Sequence, residues 1–163
     1  MGPLINSDQP KGQFLKWEGP LEEFVAAMPE DWWPDFQLYL EDSRDSMELF
    51  TITDYDQIVA GGMVLEALPR EMKVFEIEAA PFIEKGYLYI GFLFVIPEYR
   101  RRNLGSAWLS CVKALYATKG FWLTLEEPGL REFYEKNGFR WVGTLKQGGL
   151  SEELMVFGPV EST

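Results

Sequence analysis

The chain has 163 residues, 47% of them hydrophobic and 15% aromatic, with a formal net charge of −11. That apolar content at that length fits one compact domain with a continuous core. The acidic balance argues against a binder of nucleic-acid backbones, whose affinity comes from clustered Lys and Arg, and it favours cationic partners such as protonated amines.

There is no histidine and one cysteine, Cys111, so histidine triads and an intramolecular disulfide are excluded. No metal is expected from such a donor set, and a reducing, cytoplasmic setting is. The longest apolar run, Tyr87 to Ile96, is about half of the roughly 20 residues that a membrane-spanning helix needs. The N-terminus lacks an apolar signal segment, so neither export nor membrane insertion is expected.

Residues 1–11 are polar, carry Gly and Pro, and are expected to form a flexible tail before a single domain over residues 12–163. Gln13 to Trp17 predicts a short strand, and Pro20-Leu21-Glu22-Glu23-Phe24 has the proline and acids of a first helical turn. Asp31-Trp32-Trp33-Pro34 predicts a second helix with Asp31 as its N-cap, and Phe36, Leu38, Tyr39 and Leu40 give it apolar content. Met47–Thr53 alternates, Asp54-Tyr55-Asp56 suits a turn, and Ile58–Leu65 resumes as a strand, which makes a hairpin. Gly61-Gly62 inside that strand signals a bulge or a close approach of another segment.

Pro69 to Lys85, with Val74, Phe75 and Ile77, fits a strand, a short helix or a flap. Tyr87 to Ile96 is the near-continuous apolar pattern of a strand covered on both faces. Leu104, Trp108, Cys111, Val112 and Leu115 recur at helical spacing, with Gly120 just past the end and Cys111 as an inert core thiol. Phe121–Leu125 is again a strand, so strand, helix and strand predict a parallel βαβ unit. Leu130–Asn137 predicts a short helix ended by Gly138. Phe139–Leu145 and Leu154–Phe157 predict two last strands around the Gln147-Gly148-Gly149 turn.

The most telling stretch joins the long apolar strand to its helix: Phe94-Val95-Ile96-Pro97-Glu98-Tyr99-Arg100-Arg101-Arg102-Asn103-Leu104-Gly105-Ser106. A helix N-terminus offers unpaired N–H groups and the positive end of a dipole, which suits phosphate. Arginines add charge-assisted bonds to the same anion. Backbone N–H groups from Arg101 to Ser106 can form a nest for pyrophosphate oxygens, with the Ser106 hydroxyl as a further donor.

Together with Phe133-Tyr134-Glu135-Lys136-Asn137-Gly138-Phe139 downstream, this stretch resembles the GNAT superfamily of acetyl-CoA-dependent N-acetyltransferases. The resemblance is sequence-specific from about Leu88 to Val142. Arg100 and Gly105 occupy the places of the family's first motif, and Asn103 stands where the family has glycine. Asparagine tolerates the left-handed conformation that such a turn needs.

The resemblance implies a mixed α/β fold: a mostly antiparallel central sheet with one parallel βαβ unit and helices on both faces. It implies acetyl-CoA as cosubstrate, with Arg100, Arg101, Arg102, Asn103, Leu104, Gly105 and Ser106 around the pyrophosphate. The pantetheine arm would enter where the strands holding Phe94 and Leu125 splay apart. Main chain at Phe94 and Val95 would hold it there and polarise the thioester carbonyl. Tyr134 would face the departing thiolate.

The acceptor needs a base, because an amine of pKa about 10.4 leaves only about one molecule in a few thousand neutral at pH 7. Without histidine this falls to a carboxylate: Glu126, just after the strand ending at Leu125, or Glu76 or Glu78. The expected reaction is direct acetyl transfer to a primary amine, either a small cationic amine of polyamine-like or aminoglycoside-like kind, or a protein lysine or N-terminus. A homodimer is compatible with this reading. Two rivals share the sequence: a non-catalytic acyl-CoA-binding or sensing module, and an acidic interaction protein whose arginines dock carboxylates.

Overall fold

The computed structural model describes residues 12–68 and 70–158, with the side chains of Arg70 and Glu71 outside the description. The expected tail over residues 1–11 lies outside the described residues. Among the described residues seven strands form one sheet: β1 (Gln13–Lys16), β2 (Met47–Asp54), β3 (Gln57–Leu65), β4 (Leu88–Val95), β5 (Phe121–Leu125), β6 (Arg140–Gln147) and β7 (Leu150–Phe157). Their spatial order is β1-β2-β3-β4-β5-β7-β6, and among the described residues only the β4–β5 pair is parallel. Among the described residues five α-helices accompany it: α1 (Leu21–Ala27), α2 (Trp33–Ser43), α3 (Glu76–Glu84), α4 (Leu104–Leu115) and α5 (Arg131–Lys136). This is the mixed fold that the resemblance implies. Among the described residues no helix is long and apolar enough to cross a membrane.

Both hairpins close with two residues in the left-handed region. Tyr55 (φ 50°) and Asp56 (φ 69°) link β2 to β3, and Gly148 (φ 56°) and Gly149 (φ 85°) link β6 to β7. These mirror-image turns match the natural twist of paired strands.

The Gly61-Gly62 pair explains how the two faces are covered. A Cβ on Gly62 would lie 2.5 Å from the Trp108 ring of α4, and one on Gly61 would lie 2.9 Å from Phe94 and 3.0 Å from Phe24 of α1. Successive strand residues point to opposite faces, so α4 and α1 pack on opposite sides of the sheet. Trp108 is fully buried and donates its indole N–H to the Phe50 carbonyl at 3.0 Å, which pins α4 on β2 as well. The bulge expected here sits opposite Gly62 on β4, where register shifts and Phe92 takes a φ of 55°. Phe92 then meets Trp32, Phe36 and Tyr39, on and just before α2.

Several expectations change. Asp31 is not an N-cap: it lies in a 3-10 turn over Glu30–Trp32, and α2 starts at Trp33 with no side-chain cap. Residues 70–85 form no strand. A 3-10 segment, Arg70–Phe75, runs into α3, burying Met72, Phe75 and Ala79 while Ile77 is exposed. Burial three or four residues apart is the helical period, which the local alternation of Val74, Phe75 and Ile77 masks.

The buried stripe of α4 is Leu104, Trp108, Leu109 and Val112; Cys111 is half-buried and Leu115 exposed. Gly120 lies well beyond α4, and a Cβ there would come within 2.4 Å of the Tyr87 ring, so it clears an aromatic rather than ending a helix. Gly138 does end α5, with φ +87° and its N–H bonded to the Glu135 carbonyl. The last strand starts at Leu150, four residues earlier than the sequence suggests.

Candidate active site

The parallel pair in the sheet barely pairs. β4 and β5 are in register at Leu88–Phe121 and Tyr89–Trp122 and nowhere further along. Each strand stays tied to its other neighbour, β4 to β3 as far as Val95 and β5 to β7 as far as Leu125. Beyond Tyr89 the two strands therefore diverge, and among the described residues the β4 edge facing β5 has no ladder partner there. Crevices at the carboxyl ends of parallel strands are the usual ligand positions in such sheets. Phe94 is buried edge-on against Phe24, while half-buried Val95 accepts a hydrogen bond from Arg100 Nε at 3.1 Å through its carbonyl.

The chain leaves β4 through a 3-10 turn, Pro97–Tyr99, into the three arginines. Arg100 is extended, Arg101 has φ 66° and Asn103 φ 59°. Asn103 thus adopts the left-handed conformation that glycine normally supplies, and α4 starts immediately after it. The first helical bond runs from Ala107 N to Asn103 O, which leaves the N–H groups of Leu104, Gly105 and Ser106 without intrahelical partners. Alternating left-handed residues ahead of a helix start turn successive N–H groups towards one concavity.

Side chains hold this loop from two sides. Leu104 is buried beneath it. Tyr99 donates to Asp54 Oδ2 at 2.6 Å, and the Arg102 guanidinium stacks 4.7 Å from the Tyr99 ring centroid. The Asp54 bond holds the Tyr99 phenol above its ordinary pKa. On the other side, the Asn137 amide donates to Ser106 Oγ at 3.1 Å and to the Phe133 carbonyl at 2.9 Å. A Cβ on Gly105 would lie 3.0 Å from the Phe133 ring, so only a small residue allows α5 this close. The two motifs, far apart in sequence, meet here.

Tyr134 is buried between Phe133 and Phe139, with both rings edge-on to it. Burial, with a smaller push from Tyr89, drives its phenol well above the ordinary range. The group holds its proton at any physiological pH and is a hydrogen-bond donor. Glu126 is exposed just beyond β5. Glu76 and Glu78 are exposed in the first turn of α3, not on a strand edging the gap, which removes the reason for choosing them. Among the described residues no group of three or more His, Cys, Asp or Glu side chains could hold a metal.

A cavity of about 650 Å³ opens beside the end of β4, lined in part by Met28, Ile58, Val95, Ile96 and Arg100. Sequence patterns mark Asp54 only as a turn residue and Asn137 only as a member of the downstream motif, and they carry no sign of Glu152. Asp54 is buried at a turn where acids are usually solvated, and Glu152 matters only once β7 is known to lie beside β5.

The sequence matches the family model of the acetyltransferase (GNAT) family over residues 15–139. No curated protein gives a significant match. Among solved structures, an aminoglycoside 6′-N-acetyltransferase complexed with coenzyme A superposes with a TM-score of 0.69 at 12% identity, over 92% of this chain and 98% of the other. An N-acyl amino acid synthase from uncultured soil microbes gives 0.65 at 16% identity, over 92% of each chain. A Bacillus subtilis acetyltransferase in complex with CoA gives 0.63 at 14%, over 92% of this chain and all of the other. At such identities these likenesses speak for the fold alone, and the family model carries the assignment: the chain belongs to the GNAT acetyltransferase family.

Proposed function

We propose that this protein transfers the acetyl group of acetyl-CoA to a primary amine by direct attack. The observation that carries the reading is the divergence of β4 from β5 beside a left-handed turn that presents free N–H groups. Arg100, Arg101, Arg102, Asn103, Leu104, Gly105 and Ser106 receive the pyrophosphate through main-chain N–H groups and guanidinium charge. The unpaired edge of β4 at Phe94 and Val95 receives the pantetheine arm as an added strand, and an N–H there polarises the thioester carbonyl.

The neutral amine nitrogen attacks that carbonyl, forming the C–N bond, and the C–S bond then breaks. The proton lost by the amine passes to Glu126, directly or through water, and the electron pair of the C–S bond leaves on sulfur. Tyr134 donates a hydrogen bond to the departing thiolate. Its phenol is too weak an acid to surrender the proton fully to a group of pKa about 8.5. The acceptor is a small cationic amine or an exposed lysine or N-terminus, in keeping with a net charge of −11.

Calorimetry with acetyl-CoA, followed by thiol release across a panel of amines, tests the reading. Binding that is abolished by Gly105→Asp, with amine-dependent CoA release, is the expected result. No affinity for acetyl-CoA would sink it, and binding without release from any amine would leave a sensing module.

A further inference from the structure

Asp54, the last residue of β2, is an acid in a costly place. It is 6% exposed, and β3 separates its strand from the end of β4 that leads into the arginines. A buried carboxylate destabilises a fold unless hydrogen bonds and opposite charge offset its desolvation. Here Oδ2 accepts from the Tyr99 hydroxyl at 2.6 Å, while Oδ1 is buried with no hydrogen-bond partner among the described residues. Among those residues the one ion pair joins Lys16 to Glu48, so no Lys or Arg there neutralises Asp54 directly. An asparagine would accept the same bond without burying a charge, so the fold alone gives no reason for the acid.

The reason lies on the other side of Tyr99. Its ring carries the Arg102 guanidinium 4.7 Å from the centroid, so the phenol stands between a carboxylate at its hydroxyl and a cation over its face. A length of 2.6 Å is that of a charge-assisted O–H···O⁻ bond. The two charges act on the phenol in opposite senses: the hydrogen bond and charge of Asp54 raise its pKa, and the charge of Arg102 lowers it. Asp54 and Arg102 are coupled through one side chain.

Three consecutive arginines repel one another, and the loop keeps one shape only if they are anchored. Arg100 is anchored on the Val95 carbonyl. That carbonyl faces the gap: Ile96 N donates to Val59 O, so in the alternation of the antiparallel ladder the polar groups of Val95 point away from β3. Arg102 is anchored on the Tyr99 ring, and Tyr99 on Asp54. Tyr99 also closes the 3-10 turn just ahead of left-handed Arg101 and Asn103, so its orientation sets where the run of N–H groups begins.

We propose that Asp54 is a positioning residue: through Tyr99 it holds Arg102 and the loop from Arg101 to Ser106 in the shape that receives pyrophosphate. The inference rests on the acetyl-CoA reading and adds to it a residue two strands from β4. The buried charge balances the arginine cluster, so that the loop is preformed and its ordering is not charged to ligand binding.

Equilibrium binding of CoA and of pantetheine, the same arm without phosphates or nucleotide, measured by calorimetry on the full chain, tests it. Asp54→Asn keeps an acceptor for Tyr99 and removes the charge, whereas Tyr99→Phe keeps the ring under Arg102 and removes the bond. Each is expected to weaken CoA binding about 10-fold and to leave pantetheine binding unchanged. The double variant should also lose only about 10-fold, because both changes break the same link. With acetyl-CoA in steady state, both variants should raise KM and keep kcat within about twofold. Equal weakening of CoA and pantetheine, additive losses in the double variant, or a fall in kcat at unchanged KM would overturn the proposal. If the variants weaken CoA alone but the wild type releases no thiol with any amine, this inference stands and the acetyl-transfer reading falls. Amine-dependent release with CoA affinity untouched by either variant does the reverse.

Discussion

The two faces of the sheet that meet at the β4–β5 gap are built on different principles. On the α4 and α5 side the polar groups on offer are main-chain N–H groups, presented by a loop with left-handed Arg101 and Asn103. Glycines set the approach on that side: Gly62 admits Trp108 and Gly105 admits Phe133. On the side covered by α1, α2 and α3, the polar groups at the gap are side chains, Thr124 and Glu152, carried by regular strands. A backbone site needs particular residues at fixed spacing, whereas a side-chain site needs only suitable groups on neighbouring strands. The first kind tolerates little substitution, and the second is free to change its ligand.

That contrast predicts where damage is greatest. Gly62→Ala drives a methyl to within 2.5 Å of the Trp108 ring, which its hydrogen bond to Phe50 prevents from turning away. The expected loss is about 3 kcal/mol, at the upper end for overpacking, read from the denaturant midpoint. A Cβ added at Gly143 would meet nothing within 4 Å, so Gly143→Ala should cost less than about 0.5 kcal/mol. Equal costs at the two positions would break the comparison.

Tyr134→Phe sharpens it at the level of chemistry. The ring stays between Phe133 and Phe139, and only the hydroxyl is lost. A fall of about 10–100-fold in kcat, with acetyl-CoA affinity unchanged, is expected. An unchanged kcat would return Tyr134 to the packing of the core.

Asn137→Ala removes the amide that ties Ser106 to α5. About 1 kcal/mol of stability should go with it, together with a weakening of acetyl-CoA binding that exceeds any change in kcat. Calorimetry and steady-state kinetics on the same variant separate the two effects.

The difference between the faces also explains what can be read from the chain. Asn103, Gly105 and Gly138 are legible because a left-handed conformation or a close approach restricts those positions to few residue types. The left-handed Asn103 is the clearest case, since the departure from glycine keeps the conformation that the turn requires. Residues 70–85 are ambiguous in sequence because Pro81 and the short apolar alternation obscure a period that only the burial of Met72, Phe75 and Ala79 reveals. Asp31 has the right side chain for a cap, but a 3-10 turn uses those residues first. Glu152 is illegible for a topological reason: β7 inserts between β5 and β6, so residues 28 apart become hydrogen-bond partners. Glu126 follows from its closeness along the chain to the end of β5, whereas Glu76 and Glu78 follow from an expected strand whose place α3 takes.

The smallest effect concerns stability at Glu152, and its sign is informative. Burial raises this carboxyl in the folded state above its value in the unfolded chain, so the folded protein holds the proton more tightly. Above the raised folded pKa the group is ionised in both states, and the folded state bears the cost of a half-buried charge. As pH falls from there to the ordinary carboxylate value, the folded state protonates first and that cost disappears. Glu152→Gln should therefore stabilise the protein slightly at neutral pH and have no effect below the ordinary carboxylate value. Solvent screening at a half-exposed group limits the gain to a few tenths of a kcal/mol. Thermal melts of both proteins at about pH 4 and pH 7 check the sign: equal melting temperatures at pH 7, or a difference that persists undiminished at pH 4, would refute it.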